Sequence, residues 1–390
     1  MLKQQLIDKL LRYPFDFTQN DFEQLVGSPQ PDPLNFEDLR HMIKRIFSIN
    51  ENTLLEQSST SASNLKSANE FSSKSRIKKY YNRILYNRHK IQKVIVAEGD
   101  SWFQFPVFVE DIIDHLNHPK NNYAISSIAY AGDWLTNMIY EGKYVEELSI
   151  HRPDVFLISG GGNDLVGNNR LAVMVRNPKP KEDNTEEENK DIIHSQQYYT
   201  INNCTDTKDK EDIIAGRKFL TKDFFAFILT IKAQYHLMFE GLHKPDIFKD
   251  MKIITQGYDY AIPTYKLRNG IPYMNKGFWN LLEYFVNFFV GSGQWLYTPL
   301  MIRNITNSTE QEAIVKAMIY EVNEMFIELA NNPDFENVYH IDCRGVAQNF
   351  DDWFDEIHLK SHQYKRIAKA YQYVIENKIQ EKVVVVRNNY

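Results

Sequence analysis

Five short β-rich runs, each separated from the next by a stretch with room for a helix, constrain this chain more than any other feature. They read VIVAE at 94–98, YAISSIA at 123–129, DVFLIS at 154–159, MKIIT at 251–255 and VYHID at 338–342. Most are bounded by Gly, Pro, Asn or Asp, and the intervals are long enough for the crossovers that parallel strands require. The alternation predicts an α/β domain built on a mainly parallel, five-stranded sheet. A final VVVV at 383–386 is a candidate edge strand.

Open sheets of this kind hold ligands beyond the carboxyl ends of their strands, so the residues just after each run are the first place to look for chemistry. The first run leads into Gly99-Asp100-Ser101-Trp102, which sets a hydroxyl at that edge. The third leads into Gly160-Gly161-Gly162-Asn163-Asp164, where glycines allow close backbone approach and Asn163 offers an amide donor. After the second comes Ala131-Gly132-Asp133, with an N–H at Gly132 for the same crevice. Taken singly, each is also an ordinary capped turn. The acidic residues Asp100, Asp133 and Asp164 read as helix caps.

Far downstream, Asp355-Glu356-Ile357-His358 brings a carboxylate and an imidazole to one side of a turn or tight loop. A serine hydroxyl is a poor nucleophile near neutral pH. It needs a base within hydrogen-bond reach, and the base needs a partner that fixes its tautomer. Ser101, His358 and Asp355 supply each role once.

The ordered set Gly-Asp-Ser at 99–101, Gly132, Gly-x-Asn-Asp at 161–164 and Asp-x-x-His at 355–358 resembles the SGNH or GDSL hydrolase family over roughly residues 92–380. Bacterial sequences carrying Gly-Asp-Ser-Trp-Phe look similar. The resemblance implies a three-layer, flavodoxin-like α/β fold and cleavage of a lipid, acyl or acetyl ester. It also implies Ser101 as nucleophile, His358 as acid and base, and Asp355 as its orienting partner. An oxyanion hole would be formed by Ser101, Gly132 and Asn163. Three positions depart from the family pattern: Trp102 follows the serine, no Asn precedes Gly132, and Leu359 rather than Pro follows His358. Trp102, Phe103 and Trp295 are candidate pocket residues.

The expected domains are a helical appendage at 1–55, a linker and lead-in helix at 56–90, and the hydrolase domain at 91–390 with insertions near 172–215 and 260–305. Residues 57–78 are rich in Ser, Asn, Lys and Ala, the composition of a linker. The stretch 278–296 fits either a lid or plain core. A net charge of -6 argues against nucleic acid as a partner. The first residues, with Leu2, Leu6, Ile7, Leu10 and Leu11 at helical spacing, lack a secretory apolar core, so a cytoplasmic location is expected. No transmembrane segment is expected, while peripheral membrane contact and a protein partner at the N-terminal helices stay open. Neither a cofactor nor a metal is expected. The alternatives are a metal-dependent phosphoesterase, for which the usual His motifs are missing, and a partner-binding protein whose hydrolase domain is secondary or inactive.

Overall fold

The computed structural model describes residues 57–105, 109–177, 198–201, 204, 206–264 and 295–387 together with Gln5, with side chains from Asn69 onward except that of Phe71. The expected appendage at 1–55 and most of the 278–296 stretch lie outside the described residues.

Six strands, β1 (Lys93–Gly99), β2 (Tyr123–Ser127), β3 (Val155–Ser159), β4 (Lys252–Gln256), β5 (Val338–Asp342) and β6 (Val383–Val385), form one sheet in the order β2-β1-β3-β4-β5-β6. Every pairing is parallel. This is the flavodoxin-like order 2-1-3-4-5, with helices on both sides. One correction applies: the sheet has six strands rather than five, because the terminal valines pair with β5 from His340↔Val383 to Asp342↔Val385.

Strands covered on both faces need continuous apolar sequence. Ile95, Val96 and Ala97 in β1 and all of Val155–Ser159 in β3 are accordingly buried. Helices α6 (Thr207–Arg217) and α7 (Lys222–His243) both pack on α9 (Ser308–Ala330), which also rests on β5; α8 (Tyr297–Ile302) packs on the 3-10 turn Gly167–Ala172. In α7 the buried Phe224, Phe227, Ile228, Ile231 and Tyr235 follow helical spacing. Helix α10 (Ser361–Ile375) packs on α2 (Ile112–Leu116), while α3 (Leu135–Glu141), α4 (Lys143–His151) and the short α5 (Gly162–Val166) follow β2 and β3.

A second correction concerns 57–78, where composition suggested a linker. The chain instead forms a continuous helix, α1 (Gln57–Tyr86), packed against β2. Its inward face is polar, which is why hydropathy gives no sign of it. Asn69 exchanges hydrogen bonds with the main chain of Ala131, donating to its carbonyl at 3.1 Å and accepting its N–H at 2.9 Å. Arg76, buried, pairs with Asp111 at 2.6 Å and Asp114 at 3.1 Å. The Tyr80 hydroxyl meets the Nδ1 of His151 at 2.9 Å. No described helix is long and apolar enough to cross a membrane.

Candidate active site

The strand order reverses between β1 and β3, one going toward β2 and the other toward β4, and such a reversal opens a crevice at the carboxyl edge. Ser101 follows β1 and Asn163 follows β3, so both stand at that crevice. His358 arrives from the loop between β5 and α10. That loop is tight: Trp353 and Leu359 bridge in antiparallel fashion, the Phe354 N–H donates to the His358 carbonyl at 2.8 Å, and Trp353 is buried beneath.

The Nε2 of His358 lies 2.7 Å from the Ser101 Oγ, and its Nδ1 lies 2.7 Å from the Asp355 Oδ2. The other oxygen of Asp355 accepts the N–H groups of Ile357 at 2.9 Å and His358 at 2.8 Å. A carboxyl serving as acceptor on both oxygens selects the tautomer with the proton on Nδ1, which leaves Nε2 to accept from the serine hydroxyl. Asp355 and His358 are 2% and 1% exposed, so the pair operates away from bulk water, whereas Ser101 borders a pocket. Two aromatic rings meet the imidazole edge-on, Phe105 at 4.7 Å and Trp295 at 5.9 Å between centroids.

Asn163 lines the same pocket and donates one amide hydrogen to the Asp133 carbonyl at 2.8 Å. A primary amide has two such hydrogens. Gly132 is exposed, has φ of 86° and is not among the pocket-lining residues. Of the expected pocket residues, Trp102 lines the cavity. Phe103 does not: it is wholly buried, its ring against Tyr371 at 6.0 Å. Trp295 stands against the imidazole rather than in the cavity wall, a place taken by its neighbour Leu296.

The three acidic residues have structural partners. Asp164 accepts the Leu135 N–H at 2.7 Å and the Thr136 hydroxyl at 3.2 Å, securing the start of α3. Asp133 accepts the N–H of Trp134 at 2.9 Å. Asp100 accepts the Trp102 N–H at 3.0 Å, the Ser159 hydroxyl at 3.2 Å and the Tyr258 hydroxyl. Burial pushes Asp100 up to about 6, against the pull of the Tyr258 hydroxyl and the Trp102 N–H.

Sequence reasoning missed Tyr258, two residues beyond β4 and therefore at the same carboxyl edge. Its hydroxyl donates to Asp100 and accepts the Gly162 N–H at 3.0 Å, joining the serine turn to the Asn163 turn. A Cβ at Gly162 would come within 2.7 Å of the Tyr258 ring, and Gly161 has φ of 105°; together these explain two of the three consecutive glycines. Glu356 was also missed. It accepts the N–H groups of Thr264 at 2.8 Å, Leu296 at 2.9 Å and Tyr297 at 2.9 Å. Burial pushes its carboxyl up to about 7 despite those donors.

Among the described residues, no group of three or more His, Cys, Asp or Glu side chains is placed to hold a metal ion. The two cysteines, Cys204 and Cys343, are buried and unpaired.

The sequence matches no family model and no curated protein. Solved structures do show likeness. An extracellular lipase from Streptomyces rimosus aligns at a TM-score of 0.38 and 12% identity, over 73% of this chain and 99% of its own. A GDSL-like lipase from Parabacteroides merdae gives 0.34 and 9%, over 73% and 96%. An acetyl xylan esterase gives 0.27 and 13%, over 73% and 99%. Likeness this loose assigns no chemistry, which rests on the distances above.

Proposed function

We propose that this chain is a serine-dependent hydrolase of carboxylic esters, with Ser101 as nucleophile, His358 as general base and acid, and Asp355 as the group that orients the imidazole. The observation that carries it is the unbroken hydrogen-bonded path from the Ser101 Oγ through both ring nitrogens of His358 to Asp355, at 2.7 Å per link. Those distances fall within the range a base and nucleophile require.

In the proposed reaction the Ser101 oxygen attacks the ester carbonyl as its proton passes to Nε2 of His358. The imidazolium formed is stabilised by Asp355 and returns the proton to the departing alcohol, leaving an acyl-serine. Water, deprotonated by the same nitrogen, then releases the acid and restores the serine. Negative charge on the carbonyl oxygen is met by the Ser101 N–H and by the second amide hydrogen of Asn163.

A fluorophosphonate probe tests this directly. It should label Ser101 in the intact protein, and Ser101→Ala should abolish both labelling and turnover of p-nitrophenyl acetate. Turnover that persists in the folded variant would reject the mechanism.

A further inference from the structure

The pocket beside Ser101 is chemically lopsided. Its polar lining groups are few and, the second amide hydrogen of Asn163 aside, already have partners. Asp100 accepts from Tyr258, Tyr258 accepts from Gly162, and Asn163 donates to Asp133. Asp259 accepts the N–H groups of Tyr260 at 2.7 Å, Gly345 at 2.5 Å and Ala347 at 2.6 Å.

The rest of the described lining is largely apolar. Val315, Met318, Ile319 and Val322 present one face of α9 to the cavity, with Leu165 and Leu296 among the residues that complete it. Among the described residues, no Lys, Arg or His lines the cavity.

A sugar hydroxyl or an ionised group placed here would leave water without gaining a partner, which is strongly unfavourable. A methylene chain would gain at each carbon. Val315 to Val322 is seven residue steps along the helix, about 10 Å at about 1.5 Å per step, which an extended chain of roughly eight carbons matches.

Resting on the ester-hydrolase reading above, we infer that this pocket takes the acyl side of the substrate, an uncharged linear chain of medium length, about six to ten carbons. The carbonyl sits at Ser101 and the chain runs along α9.

The test uses the full chain with p-nitrophenyl acetate, butyrate, octanoate and palmitate. From acetate to octanoate, kcat/KM should rise at least tenfold, since each buried methylene contributes roughly a three- to fourfold gain at most, and it should fall at palmitate. An eight-carbon ester ending in a carboxylate should be turned over at least tenfold more slowly than octanoate. Met318→Trp and, separately, Val322→Phe should lower the octanoate-to-acetate ratio of kcat/KM at least tenfold, with circular dichroism and Tm reporting whether each variant is folded.

A wild-type profile that is flat or favours acetate would overturn the inference while leaving ester hydrolysis standing. So would an unchanged ratio in either folded variant. If both variants unfold, the wild-type profile and the carboxylated ester decide. Failure of the underlying mechanism looks different: no ester of any length is cleaved and Ser101 is not labelled.

Discussion

The indole N–H of Trp102 donates to the main-chain carbonyl of Ile357 at 3.1 Å. These residues are neighbours of Ser101 and His358, so one hydrogen bond ties the nucleophile turn to the loop that supplies its base, across more than 250 residues of sequence. Trp102 is also held edge-on by Tyr258 at 5.2 Å and Tyr364 at 5.4 Å. A tryptophan directly after the serine thus has a physical role.

Trp102→Phe keeps much of the aromatic bulk and removes the donor. A net contribution of about 1 kcal/mol corresponds to about fivefold in rate if it is felt fully at the transition state. The expected result is a kcat about fivefold lower with KM nearly unchanged, measured on p-nitrophenyl esters. A wild-type kcat would mean that packing alone holds the two turns.

Asn163→Ala should lower kcat by about 10²–10³. The Asp133 carbonyl loses its amide partner as well, so a fall in stability of about 1 kcal/mol is expected. Urea unfolding and steady-state kinetics separate the two effects. An unchanged rate in the folded variant would remove Asn163 from the oxyanion hole.

Tyr258→Phe leaves the Gly162 N–H without its acceptor and takes one donor from buried Asp100. Loss of a hydrogen bond to a carboxylate costs about 1.5–3 kcal/mol, which denaturant unfolding can read. Asp100, already raised by burial to about 6, also loses a partner that lowers it. Its carboxyl should therefore protonate at higher pH, and the acid limb of the kcat profile should move upward. A profile that superimposes on wild type would detach Tyr258 and Asp100 from the chemistry.

The polar face of α1 makes it an integral part of the domain. Arg76→Ala would strand Asp111, which is fully buried, and breaking a buried ion pair typically costs about 3–5 kcal/mol. A chain beginning near Arg83 should accordingly fail to fold. A soluble, active truncation with native Tm would show that α1 is dispensable.

Glu356 gives a signed pH prediction. Burial raises its carboxyl to about 7 in the fold, above the ordinary glutamate range. Near pH 5 to 7 the folded chain then holds a proton that the unfolded chain has released. The stability this group contributes is full at low pH and lost as pH rises through about 7. The Tm of wild type minus that of Glu356→Gln should decrease from pH 5 to pH 8. An increase would mean that the three N–H donors outweigh burial.

The strand runs were legible because a sheet covered on both faces demands uninterrupted apolar sequence, and Ser101, Asn163, Asp355 and His358 were legible because each follows a strand or sits in a spaced pair. The sixth strand was ambiguous, since three valines near a terminus pair only if β5 has a free edge. Helix α1 was hidden because, among its described residues, the buried Asn69, Ser72 and Arg76 have a composition that signals solvent, with only Tyr80 beside them as a buried aromatic. Tyr258 carried a positional signal, two residues beyond β4, but a lone tyrosine has no motif. Phe103 shows the reverse error: adjacency to the nucleophile in sequence placed it by the pocket, whereas the turn at Ser101 directs it into the core.

The Glu356 carboxylate grips Thr264 on one side and Leu296 with Tyr297 on the other. The polypeptide therefore departs and returns at a single clasp, one residue removed from Asp355. Thr264 and Leu296 are thereby fixed beside the imidazole-bearing loop. A change at Glu356 would therefore reach the reaction centre through the backbone, because the clasp keeps the indole of Trp295 at the imidazole's edge.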